Sequence, residues 1–114
     1  MAYDPELARR IRVVIADDHP DLLPVVTERA MFGGLAFLVR GNMAVAAGNA
    51  GDLMLRCDRD DTERHLAEGA EPTVMRGREM SGWLDVSGDQ TADDQRLTHW
   101  VAVGMSYAAR LPAK

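Results

Sequence analysis

Four groupings in this sequence hold residue types that do chemistry. Asp17, Asp18, His19 and Asp21 put three carboxylates and an imidazole into five positions, a set that suits a divalent metal. They close the apolar run IRVVIADDHP, where an acidic pair at a strand end would suit magnesium-assisted phosphoryl chemistry. Cys57 and His65 are the types of a thiol nucleophile and its general base. Arg29, Arg40, Arg56, Arg76 and Arg78 would bind phosphate if the fold gathered them on one face. Met31-Phe32-Gly33-Gly34 is a loop type whose glycines let backbone amides approach a ligand.

Each grouping also has a plainer reading, and the plainer one is adopted. A single turn does not guarantee the converging ligands a metal needs, so 17–19 reads as a solvated helix end. Cys57 alternates with Leu53 and Leu55, as a small buried hydrophobe does, and no oxyanion motif or third group accompanies it. His65 and His99 read as helix-surface residues beside carboxylates. The arginines are offset by eighteen acids and read as solvated charges. Met31-Phe32-Gly33-Gly34 reads first as a strand connection whose Met and Phe fill the core. No catalytic residue, metal ligand or cofactor is assigned.

The elements that would position these residues follow from periodicity. Asp4-Pro5-Glu6 is a helix start: a cap, a proline at the first helical position and an acid at the positive end of the dipole. Leu7, Ile11, Val14 and Ile15 then fall on one face, which predicts a helix over 4–17 stopped by Pro20. From residue 25 the period becomes two. Strands are expected at 25–31, 35–40, 43–47 and 53–57, with a tight hairpin at Gly41-Asn42 and a loop over 48–52. Asp58 or Asp60 caps a short helix ending before Gly69. A second strand pair, 72–76 and 82–86, is joined by 77–81. Thr91 and Asp94 resemble a capping box for a last helix running to about Arg110, with Leu97, Val101, Gly104, Met105 and Ala108 buried. Trp83 and Trp100 are expected between the sheet and this helix. The class is α+β, an antiparallel β-sheet flanked by helices in the order α-β-β-β-β-α-β-β-α, forming one domain over 1–114.

Composition narrows the function. Hydrophobic residues make up 46% of the 114, enough for one core, and no stretch approaches the roughly 20 apolar residues that span a bilayer. The N-terminus has no signal-peptide order, and a single cysteine fits the reducing cytoplasm. A net charge of −5 with one lysine, Lys114, argues against direct nucleic-acid binding. A response-regulator receiver is set aside. It would need a helix after the acidic pair, where strands are predicted, and a late lysine at its phosphorylation site.

A different likeness runs along nearly the whole chain. Met31-Phe32-Gly33-Gly34, the hairpin through Gly41-Asn42 and the Leu-x-Leu-x-x-Asp of 53–58 resemble the N-terminal domain of the TfoX/Sxy family of competence regulators. The opening MAYDPELARRIR, GREMSGWLDV at 77–86 and WVAVGMSYAARLP at 100–112 fit as well. Two departures stand out: Ala30 occupies a position that is commonly basic in the family, and the second, helical domain of full-length members is not in this sequence. The resemblance implies an α+β fold and, loosely, a regulatory role. The resulting expectation is a non-catalytic, cytoplasmic protein-interaction module, with a homodimer as one form. Met31, Phe32, Gly33, Gly34, Gly82 and Trp83 are its candidate contact residues. The competing expectation is a small-ligand-binding domain or enzyme with a pocket near Met31–Gly34 and Trp83.

Overall fold

The computed structural model describes residues 3–31 and 33–114. The chain begins with helix α1 (Pro5–Asp18), where the Asp4 side chain accepts hydrogen bonds from the backbone amides of Glu6 and Leu7. That cap, with proline in the first turn, satisfies donors that a helix start otherwise leaves unpaired. Leu7, Ala8, Ile11 and Ile15 are buried, so the 3.6-residue stripe does face the core. After His19 a single 3₁₀ segment, Pro20–Val25, leads into the sheet.

Six antiparallel strands follow: β1 (Val26–Met31), β2 (Gly34–Val39), β3 (Asn42–Ala47), β4 (Leu53–Arg56), β5 (Glu71–Met75) and β6 (Arg78–Val86). Their spatial order is β1-β2-β3-β4-β6-β5. Between β4 and β5 lie a 3₁₀ turn (Arg59–Asp61) and the short helix α2 (Thr62–Ala67). Asp58 caps this turn by accepting from the Asp60 amide. After β6 come a one-turn helix α3 (Gly88–Thr91) and the long helix α4 (Asp94–Arg110). The antiparallel α+β class is therefore as expected, with α3 and 3₁₀ segments at Pro20–Val25, Asn49–Gly51 and Arg59–Asp61 in addition among the described residues.

Four local expectations shift. The β2–β3 turn is centred on Arg40-Gly41, both at positive φ (50° and 85°), and Asn42 already belongs to β3. Two consecutive left-handed residues match the twist of flanking strands in a type I′ turn. The β5–β6 hairpin repeats the device at Arg76-Gly77 (φ 54° and 76°), so β6 starts at Arg78 rather than 82. Strand β4 ends at Arg56, before Cys57. The cap of α4 is Asp93, which accepts from the Arg96 amide; Thr91 instead donates its hydroxyl to the Gly51 carbonyl.

The main core lies between α1, α4 and one face of the sheet. Phe37, Val39, Val45, Leu53, Leu55, Leu84 and Val86 meet Leu7, Ile11, Ile15, Leu97, Trp100, Val101 and Met105, all at most 2% exposed. Burying each side chain of this size contributes about 1.5–3 kcal/mol before entropy is subtracted. Gly104 sets how closely α4 seats on the sheet. A Cβ there would collide with the Ala44 carbonyl and lie 2.7 Å from a Val45 methyl. At the periphery, Arg12 of α1 forks both carboxylate oxygens of Glu28 on β1 at 2.8 Å.

Candidate functional site

Among the described residues, the other face of the sheet carries no helix. Here Ala36, Leu38, Met43 and Ala46 are buried, flanked by half-buried Met31, Met54 and Trp83. Register explains which residues come here. Cross-strand partners in an antiparallel sheet share a face. Arg29 pairs with Ala36, Ala36 with Ala46, Ala46 with Met54, Met54 with Asp85, and Asp85 with Glu71. One transverse row therefore crosses all six strands, basic at the β1 edge, apolar in the middle and acidic at the β6–β5 edge. Five strand spacings make it about 24 Å long.

The motif residues are placed around this face. Met31 ends β1 on the helix-free side, paired with Gly34. Phe32 lies outside the described residues. Gly33 is exposed at φ 72°, and apart from its own chain neighbours no described atom lies within 4 Å of where a Cβ would stand. Gly34 has a packing reason: a Cβ would strike the carbonyl oxygen of Ala47 on β3. Gly82 is buried, and its carbonyl accepts from the Cys57 amide. Trp83 is not sandwiched between sheet and α4, as Trp100 is. It faces the helix-free side, half-buried, with the Arg56 guanidinium 5.4 Å from a ring centroid. The alternation settles its direction: Leu84 and Val86 take the covered face, so Trp83 and Asp85 take the other.

A hollow of about 360 Å³ opens beside this face, with Gly34, Met54, Glu71, Thr73 and Asp85 among its lining. Neither Met31 nor Trp83 lines it, so the motif residues do not surround one pocket. Thr73 donates its hydroxyl to Asp85 at 2.8 Å. Burial nevertheless pushes the Asp85 carboxyl above its ordinary range, and the nearby charges of Asp52 and Glu71 push the same way against that hydrogen bond.

The remaining sequence candidates do not assemble catalytic sets. Asp17 and Asp18 are exposed at the end of α1. Cys57 and His65 line the same hollow, but their polar partners differ: the Cys57 sulfur lies 4.0 Å from the Thr62 hydroxyl, and His65 Nδ1 lies 2.9 Å from Glu68 Oε1. Burial raises the Cys57 thiol above its usual range, which disfavours the nucleophilic thiolate. Of the arginines, the register places Arg40, Arg56, Arg76 and Arg78 towards the same end of the sheet, while Arg29 sits within β1 at one edge. Asp58, Asp60 and Glu79 share that end, and Arg56 is also stacked 5.6 Å from the Tyr107 ring.

His65 departs most from expectation. It is 3% exposed rather than on a helix surface, and its ring meets Trp100 edge-on at 5.7 Å. Glu68 Oε1 also lies 3.2 Å from Nε2 of His99 on α4. The hydrogen bond from His65, followed by that from His99, holds the Glu68 carboxyl below its usual range despite some opposing desolvation. The i,i+3 spacing of His65 and Glu68 was a readable sign that they share a helix face. Nothing local connects them to His99, 31 residues beyond Glu68.

Among the described residues, no helix is long and apolar enough to cross a membrane. The model of the TfoX N-terminal domain family matches residues 20–108, and the chain belongs to that family. No curated protein matches the chain. Membership supports a regulatory or competence-related domain.

Proposed function

We propose that this TfoX N-terminal domain is a non-catalytic regulatory module that works by protein contact through its helix-free sheet face, first with a second copy of itself. The transverse row from Arg29 to Glu71 carries the reading. If two such faces stack about a two-fold axis parallel to the strands, the β1 edge of each copy lies over the β5 edge of the other. Arg29 then lies over Glu71, Ala46 over Met54, and Ala36 over Asp85 one strand in from the edge. The row is thus self-complementary in charge at its two ends and apolar at its centre, as suits an isologous interface, and Ala36 leaves room for the Asp85 carboxyl between them. Small alanines allow close approach, and Met54 adapts to an imperfect surface. The buried, free Cys57 thiol supports a cytoplasmic setting.

Sedimentation equilibrium at low salt tests this. The parent chain is expected to self-associate, Arg29→Glu or Glu71→Arg to weaken the association at least tenfold, and the double swap to restore it. A parent that stays monomeric at high concentration overturns the reading, as does a double swap no better than its singles.

A further inference from the structure

We propose that His65, Glu68 and His99 form a binding site for a zinc-class divalent cation that ties α2 to α4. Their candidate ligand atoms all lie within 4.8 Å of one another. His65 Nδ1 is 2.9 Å and His99 Nε2 3.2 Å from the same Glu68 oxygen. Tetrahedral zinc with ligands at about 2.0–2.1 Å sets neighbouring donors about 3.3 Å apart. The two separations to Glu68 already match, and the imidazole nitrogens, within 4.8 Å of each other, close the remaining gap by rotation of the exposed His99 side chain. Two imidazoles and a carboxylate are a borderline-soft donor set that suits zinc rather than calcium or magnesium.

The site is built as well as close. His65 is held in the core, and the Trp100 ring stands edge-on to both imidazoles, 5.7 Å from His65 and 4.7 Å from His99. Glu68 occupies the C-cap of α2, where the negative end of the helix favours a cation beside the carboxylate. The hollow lined by Cys57, Asp61, His65 and His99 has a volume of about 390 Å³, room for water as the fourth ligand. Protons balance by tautomerisation: the two neutral imidazoles turn a lone pair to the metal and carry their protons on His65 Nε2 and His99 Nδ1. The carboxylate is already ionised. A six-residue helix is marginal on its own, and the cation would fix it to the longest helix of the fold.

The test is titration of the full chain with Co²⁺ and Zn²⁺. The expected result is one equivalent, with Co²⁺ giving the intense visible bands of four-coordinate cobalt and Zn²⁺ raising the melting temperature. His99→Gln and Glu68→Gln, both at exposed residues, should bind at least about tenfold more weakly, since losing even an outer partner of a metal ligand costs that much. His19→Gln, at the one histidine outside the site, should bind as the parent does. Circular dichroism verifies the fold of each variant. Absence of stoichiometric binding overturns the proposal, and so does binding that His99→Gln and Glu68→Gln leave intact.

Discussion

The covered face of the sheet buries Phe37, Val45, Leu53, Leu55 and Leu84 under two helices, whereas the opposite face buries Ala36, Leu38, Met43 and Ala46 with no helix above them. The first set is large, and its shapes interlock with side chains from another layer. The second is small or flexible, and its shelter comes from neighbours in the sheet, Met31, Met54 and Trp83 among them. Strand β3 shows both arrangements at once: all six of its residues are buried, yet Ala44, Val45 and Ala47 belong to the helix-covered core while Met43 and Ala46 lie on the other face, a shift in register against β2 breaking the strict alternation. Central position in the sheet shields the helix-free side of β3. Loss of solvent contact is therefore not the same as interlayer packing, and the two faces should respond differently to equal damage.

The sharpest contrast is truncation. Phe37→Ala on the covered face leaves a void between two layers and is expected to cost about 3–5 kcal/mol in urea denaturation. Met43→Ala on the helix-free face has fewer atoms to lose contact with, and the cost expected is near the lower bound for core methionines, about 2 kcal/mol. Equal losses would break the comparison, because they would mean the second face is packed like the first. The smallest expected effect is electrostatic. Asp85 sits on the helix-free face with its carboxyl raised, chiefly by burial. The folded chain therefore keeps a proton that the unfolded chain releases as pH rises past the ordinary carboxylate range. Stability falls through that interval and stays reduced above the folded value. Asp85→Asn keeps an acceptor for Thr73 and removes the charge. It should melt slightly higher than the parent at neutral pH and show no such advantage in acid, as thermal scans across pH would reveal.

Much of this was readable locally. The cap at Asp4, the stripe of α1 and the buried stripe of α4 depend on neighbours within four residues, so periodicity found them. Glycine and asparagine both tolerate left-handed backbone, so the sequence points to a β2–β3 turn one residue later than Arg40-Gly41. Asn42 instead pairs with Val39 in the ladder, and its side-chain amide donates to the distant Pro112 carbonyl at 2.9 Å. The expectation of Trp83 between sheet and helix overlooks the parity of Leu84 and Val86, which points it to the other face. The transverse row and the His65–Glu68–His99 group follow from strand order and helix seating, which join segments that no local pattern links.

The close seating at Gly104 has a consequence beyond packing. His99 lies five residues earlier on the same helix, about 7.5 Å along its axis. Any side chain at 104 would prise α4 away from β3, and the tilt would carry the His99 imidazole with it. Metal coordination tolerates only a few tenths of an ångström. The missing side chain thus calibrates the helix as a ruler: the gap between α4 and the sheet is also the tolerance to which the third ligand is held.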